Sequence, residues 1–444
     1  MITEFVVAGI TTYAYQKIHY NIKHKDEKQI IKKWNKIMFA AGIKNKEDIS
    51  DTFKIININK TKYGFNCKVN IPDGFDADKL EGLKTIIQDN FKCLCEFDKQ
   101  RFTNYTTVKI ITNPLNNLTF KPEKTKPYEI LLGYDYTGKP VILNMNRFSH
   151  LLIAGVVGTG KSRLGFTILT NLIHNHSEKE IEIYLTQLKK KDYKHFKFCK
   201  QVKQFSERLD ETRDMFARLD KIIDKRTETI DKADAENIEE YNQKSKIKMK
   251  YIYLFAEEFS FYMEDKSDDE DTEKLKASAL QHLKNIIVAG RSVGINVICT
   301  VQRTTVDNIP STIKSQMSRI TFRQMSVLNS TNIIESSDAV GLEEKECILF
   351  TNQYVRIKTP YIDKEIIQDN IKDSLLNIPV QSKVQNEMHY ERHKPTPEEF
   401  AKMKDCTVRV KQTITNTKVN IKVKKRKNGV INLDEVKKDA HKEG

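Results

Sequence analysis

Apolar and polar positions divide the chain into unlike stretches. Residues 1–52 form a basic region whose pattern is helical. Residues 53–112 suggest a small α/β unit. In it, 54–59 and 63–71 read as strands, Pro72-Asp73-Gly74 as a turn, and 108–111 as a closing strand. Leu80, Leu83, Ile86, Ile87 and Phe91 recur at helical spacing and predict a helix over 78–91. Residues 113–127 hold Pro114, Pro122 and Pro127 among Asn, Lys and Thr and read as a linker. From 128 to 365, short apolar runs at 151–154, 181–185, 251–255, 296–301 and 319–322 alternate with helical patterns. That alternation is the mark of a mostly parallel sheet covered on both faces. A long amphipathic helix is expected between the second and third of these strands, with Phe205, Leu209, Phe216, Leu219 and Ile223 along one side. Residues 265–273 are acidic and read as a solvated loop. Residues 366–444 form a basic tail, poor in apolar positions and partly disordered by composition.

Composition narrows the class. With 444 residues, 39% hydrophobic and 30% charged, the chain suits a globular protein of several domains. It is neither collagen-like nor a disulfide scaffold, and no run reaches the ~20 apolar residues of a membrane span. The apolar stretch 5–15 is too short to cross a bilayer and reads as a buried or interfacial element. The net charge is +15, but residues 401–444 alone hold thirteen Lys and Arg against five Asp and Glu. A basic balance of this kind permits an anionic partner without naming one. The seven cysteines are scattered and never spaced C-x-x-C, so the simplest expectation is a reduced, cytosolic compartment, with Cys93 and Cys95 on one face of a strand.

Chemistry enters at Gly155-Val156-Val157-Gly158-Thr159-Gly160-Lys161-Ser162, which fits G-x-x-x-x-G-K-[ST] between a strand and a helical pattern. Glycines let the backbone curl so that N–H groups point at phosphate oxygens, and the following helix adds its positive end. Lys161 is expected to neutralise the β- and γ-phosphates of ATP and Ser162 to ligate Mg²⁺. Hydrolysis needs acids at the end of a neighbouring strand, and Glu257-Glu258 after 251–255 supplies them. Glu257 would hold the metal through water, and Glu258 would orient and deprotonate the attacking water. Asp is usual at the first of these positions, and Glu reaches one methylene further. Gln302 ends the next strand, where it either touches the γ-phosphate or makes a plain strand-end hydrogen bond. Arg291 lies before that strand, either as a surface ion pair or as a cation reaching a neighbouring subunit's nucleotide.

In their order these segments resemble the FtsK/SpoIIIE family of DNA-pumping ATPases. The resemblance spans about 128–355. It is carried by Gly133-Tyr134-Asp135 with Gly138-Lys139-Pro140-Val141, then Ser149-His150-Leu151-Leu152-Ile153-Ala154-Gly155 and Asn237-Ile238-Glu239-Glu240-Tyr241-Asn242. Further along come Glu257-Glu258-Phe259, Gly290-Arg291-Ser292-Val293-Gly294-Ile295, Thr300-Val301-Gln302-Arg303 and Arg319-Ile320-Thr321-Phe322. Residues 53–112 are similar to the family's small α/β domain. Where the family has Gly-x-Gly-Asp before its last strand, this chain has Glu343-Glu344-Lys345-Glu346-Cys347. Neither a winged-helix module after 365 nor a multi-span anchor before the motor is expected, which likens the chain to compact relatives of plasmids, phages and integrative elements.

The resemblance implies a RecA-like P-loop NTPase core preceded by a small α/β domain, assembled as a hexameric ring around double-stranded DNA, with Arg291 acting in trans. Lys189-Lys190-Lys191 and the cluster at 422–427 are either DNA contacts or solvated faces. The first functional expectation is an ATP-driven DNA translocase serving a mobile element, cytoplasmic or peripheral at the membrane, with a relaxase or membrane protein as a further partner. The alternatives are an ATPase of the same fold that moves protein in a secretion system, and a non-hydrolysing DNA-binding scaffold.

Overall fold

The computed structural model describes residues 25–43, 52–99, 102–113, 118–188, 192–302, 310–351 and 353–376. The expectations for 5–15, Lys189-Lys190-Lys191, Arg303, Cys406 and the tail beyond 376 lie outside them. Among the described residues no helix is long and apolar enough to cross a membrane.

The first unit has helix α1 (Lys25–Ala40), strands β1 (Ile55–Thr61) and β2 (Gly64–Asn70), helices α2 (Ala77–Glu81) and α3 (Lys84–Phe91), and strands β3 (Leu94–Lys99) and β4 (Tyr105–Ile111). The strands form an antiparallel sheet in the order β1-β2-β4-β3. Trp34, Ile37 and Met38 of α1 are buried in the same core as Phe65, Val69, Ile87 and Ile110. The Trp34 indole donates to the Phe53 carbonyl at 2.7 Å, so α1 belongs to this unit and the boundary at 52 does not separate them. The helix expected over 78–91 is two helices meeting at Gly82. Cys93 precedes β3 and is half-buried, whereas Cys95 lies within β3 and is buried.

The larger unit is built from strands β5 (Glu129–Tyr134), β6 (Pro140–Asn144), β7 (His150–Ala154), β8 (Ile181–Thr186), β9 (Val202–Ser206), β10 (Tyr251–Ala256), β11 (Ile295–Val301), β12 (Ser318–Phe322), β13 (Glu346–Phe350) and β14 (Tyr354–Lys358). They make one sheet in the order β6-β5-β14-β13-β12-β7-β11-β10-β8-β9. From β12 to β9 the pairings are parallel, and from β12 to β6 they are antiparallel. Strands β7 and β10 are buried throughout, as strands covered on both faces must be.

Helices cover each face. On one side, α4 (Lys161–Asn175) contributes Leu164, Ile168 and Leu172, and α10 (Lys364–Ile371) contributes Ile367 and Ile371. On the other, α5 (Leu209–Lys232) and α7 (Glu270–Ala289) face each other through Met215, Phe216, Leu219, Leu283 and Ile286. Phe205 lies in β9 and not on α5: the chain is extended there because Leu185 pairs with it. The acidic stretch is only partly a loop. The Asp269 carboxylate caps α7 by accepting from Thr272 N at 2.7 Å, and Glu270, Asp271 and Glu273 fill the first turn, where the helix dipole favours anions.

The linker expectation for 113–127 fails over 118–127. Phe120 is buried, its N–H donates to the Tyr361 carbonyl at 2.8 Å, and Tyr361 N–H donates to the Leu118 carbonyl at 2.6 Å. Glu123 N–H also donates to the Asn171 side chain at 2.9 Å. The prolines keep this segment out of regular structure, while Phe120 still binds it to the core of the larger unit. The boundary at 365 likewise falls inside packed structure, because α10 closes over α4 and Leu375 bridges to Cys199.

Candidate active site

The loop after β7 turns at Gly155 (φ 149°), Gly158 (φ 83°) and Gly160 (φ 127°). A β-carbon at Gly155 would stand 2.7 Å from Phe322 Cβ, and one at Gly160 would stand 2.8 Å from the Phe322 ring. Glycine is therefore required twice over, by dihedral and by the close approach of β12. Val156 N–H is held by the Arg323 carbonyl at 3.3 Å and the Thr159 hydroxyl by the Val156 carbonyl at 2.7 Å. Val157 at the tip is exposed. Lys161 is buried at the first position of α4, and its ammonium donates to the carbonyls of Gly155 and Val156, the latter at 2.9 Å.

Glu257 and Glu258 follow β10, but β10 is not next to β7: β11 lies between them. The expected adjacency is corrected by one strand, which separates the two strand ends by about 10 Å. Such a gap leaves room for a triphosphate between lysine and acids. Register keeps them level. Ala256 pairs with Cys299 and Cys299 with Leu152, while two residues on Val301 pairs with Ala154.

Both glutamates are buried and fixed by threonines on the flanking strands. Glu257 N–H donates to Thr186 Oγ1 at 3.0 Å, and Glu258 N–H donates to Thr300 Oγ1 at 2.9 Å. Glu258 has φ 46°, a left-handed backbone costing about 1–2 kcal/mol for a residue with a side chain. The turn aims its carboxylate at β11, where Oε1 accepts from Gln302 N at 3.1 Å and from Ser260 Oγ at 2.8 Å. The structure thus ties Glu258 to Gln302 through the backbone of Gln302, a link that residue types alone do not reveal. Thr186 and its partner Tyr262, 3.0 Å away, were likewise not singled out from the sequence.

Arg291 is not with this group. It lies on the exposed turn before β11, at the end of the sheet where His150 begins β7, whereas the loop and both glutamates stand at the other end. It therefore cannot serve the nucleotide of its own chain. His150 is buried there. Its Nδ1 accepts from Val297 N at 3.1 Å, and burial first, then the charge of Arg291, pushes its pKa down to about 3.

The segment 343–347 approaches the loop from the far side, with Lys345 N–H donating to the Thr159 carbonyl at 3.1 Å. Lys345 has φ 68°, so the left-handed turn that a glycine would make is made here by a lysine. The hydroxyl of Ser162 donates to Asp192 Oδ2 at 2.8 Å. Asp192 was missed because it follows a lysine-rich stretch with no motif of its own.

The donor set suits a nucleotide with a hard cation. A buried ammonium, loop N–H groups and a helix start face anionic oxygen, and a hydroxyl with carboxylates suits a metal that prefers oxygen ligands. A strand-loop-helix phosphate cradle, with acids two strands away on a parallel sheet, defines a P-loop NTPase of the RecA-like class.

Comparison with known proteins narrows this. Residues 119–334 match the sequence profile of the FtsK/SpoIIIE family, and this domain belongs to that family of P-loop ATPases, whose chemistry implies ATP binding with a divalent metal. Among similar proteins are DNA translocase FtsK of Leptospira interrogans, 25% identical over 274 residues, and DNA translocase FtsK of Chlorobaculum tepidum, 27% identical over 249. The matches cover 58% and 52% of this chain, and 28% and 30% of those relatives, so the chain spans under a third of their length. DNA translocase SftA of Bacillus subtilis is 25% identical over 266 residues, which is 57% of this chain and 27% of that protein. Among solved structures, the conjugation coupling protein TcpA of pCW3 superposes with TM-score 0.54 at 17% identity, covering 77% of this chain and 98% of that one. That likeness establishes the fold.

Proposed function

We propose that the chain is an ATP-driven double-stranded DNA translocase of the FtsK/SpoIIIE type. The observation that carries the catalytic part is the convergence of Lys161, Glu257 and Glu258 on one end of the sheet, level with each other and pinned by Thr186, Thr300 and the Gln302 backbone. On binding ATP, Lys161 exchanges loop carbonyls for phosphate oxygens, and the N–H groups of 155–162 surround them. Mg²⁺ supplies charge neutralisation at the phosphates; Ser162 and Glu257 are the residues that would hold it. Glu258 takes a proton from the attacking water while Thr300 and Gln302 hold its turn in place.

Arg291 serves a second copy of the chain, which motivates a ring around the DNA. The DNA reading follows from the family and from relatives that are DNA translocases. Service to a plasmid, phage or integrative element follows from the resemblance to compact relatives. A cytosolic placement is supported by free thiols at Cys67, Cys93, Cys95, Cys199, Cys299 and Cys347.

Turnover of ATP with Mg²⁺, measured with and without duplex DNA, tests the reading. DNA should raise the rate, and Lys161→Ala should remove it in both conditions. Equal turnover with and without DNA would overturn the translocase assignment. ATP binding without turnover would favour the scaffold alternative.

A further inference from the structure

The hydrogen bond from Ser162 to Asp192 joins two parts of the molecule that the sequence does not connect. Asp192 follows β8, whose last residue, Thr186, pairs with Ala256 at the end of β10. Its segment is firmly anchored. Tyr193 N–H donates to Gln187 Oε1 at 2.9 Å, and Gln187 N–H donates to the Ser206 carbonyl at 2.8 Å, with the Gln187 side chain buried. The Tyr193 phenol presses on α4 at Gly165, where a β-carbon would stand 2.4 Å from its oxygen. Phe166 meets the same ring edge-on, 5.8 Å between centroids.

A serine hydroxyl has one proton and two lone pairs. Donated to a carboxylate, the proton makes a charge-assisted bond and leaves the lone pairs for a cation. In this structure the carboxylate is Asp192 and not either glutamate of the acidic pair. We propose that Asp192 is a positioning residue of the magnesium site: its carboxylate accepts the hydrogen bond of the Ser162 hydroxyl and so turns that oxygen's lone pairs toward the metal. The proposal rests on the nucleotide-site reading above.

The test is binding of a fluorescent ATP analogue to the full chain, once in EDTA and once across a Mg²⁺ titration, for the unaltered protein, Asp192→Asn and Asp192→Ala. Removing an outer partner of a metal ligand costs about 10–100-fold in metal affinity, so half-saturating Mg²⁺ should rise by that factor in both variants. Affinity in EDTA should stay within about threefold, since Lys161 and the loop are untouched. Mn²⁺ bound in the presence of nucleotide, counted by electron paramagnetic resonance, should fall in parallel. An unshifted Mg²⁺ midpoint in both variants overturns the proposal. So does an equal loss with and without metal, which would make Asp192 a support for the loop only. If the unaltered protein binds no nucleotide in either condition, the nucleotide-site reading itself falls; if it binds and the variants titrate like it, only the role of Asp192 falls.

Discussion

The two ends of the parallel sheet are built for opposite purposes. At one, Lys161, Glu257 and Glu258 are buried, and each is held by backbone or hydroxyl partners within about one residue of a strand end. At the other, Arg291 is exposed on a turn that is itself rigid. Ser292 accepts from Ile238 N at 2.8 Å, Val293 accepts from Arg226 Nη1 at 2.7 Å, and Gly290 accepts from Ile295 N at 2.9 Å. Burial brings the Arg226 guanidinium down to about 10, so it stays charged at neutral pH. One end fixes its side chains, as the proposed hydrolysis of a single bound nucleotide requires. The other fixes only the backbone and leaves the cation outward, an arrangement that makes sense if its target lies on another molecule.

The sharpest attempt to break this contrast is Arg291→Ala. Loss of a cation serving the transition state costs about 10³–10⁵ in rate, and nucleotide affinity measured by equilibrium binding should hardly change. Mixing Arg291→Ala chains with Glu258→Gln chains, each inactive alone, should restore part of the turnover; no recovery would show that the two ends do not meet across copies. Glu258→Gln alone should lower turnover by about 10²–10⁴ while still binding ATP, which single-turnover measurements can separate. An unaltered rate would remove Glu258 from the chemistry.

Smaller effects address the rigid end. His150 is neutral when folded, and its folded pKa of about 3 lies below the ordinary value. Its contribution is therefore complete above pH ~6.5 and lost as pH falls toward 3, at up to about 1.4 kcal/mol per pH unit. Denaturant melts between pH 7 and 5 should show that slope, and His150→Asn should flatten it. Least of all, Asn237 caps α6 (Ile238–Lys244) by accepting from Glu240 N at 3.0 Å. Asn237→Ala should cost about 1 kcal/mol and lower Tm by roughly 2–4 °C, with turnover intact if the Arg291 turn is unmoved.

What the sequence made legible was whatever carries a local signature. The parallel strands are short apolar runs, and 155–162 has glycines at fixed offsets, so both were readable without a structure. Strand order was not: nothing in 251–258 or 295–302 says that β11 inserts between β7 and β10. Asp192 was hidden for the same reason, since its partner lies thirty positions away on another element. The helix cap at Asp269 was obscured by its acidic neighbours, and the packing of 118–127 by its prolines. Strands β13 and β14 are antiparallel additions whose charged ends masked their apolar centres. Lys345 is the reverse case, where the sequence lacks the expected glycine and the backbone keeps the glycine-like turn.

The pairing of Leu118 and Phe120 with Tyr361 has a mechanical consequence. The segment 118–120 and the stretch after β14 meet at one spot, held by two backbone hydrogen bonds and reinforced by the pairing of Lys358 with Tyr134. Tension between whatever lies before residue 118 and whatever lies after 361 would load that clasp in shear. Lys161 opens α4, against which α10 packs after residue 361, so a pull on the following chain would reach that helix through α10, whereas a pull on the chain before 118 meets the clasp first.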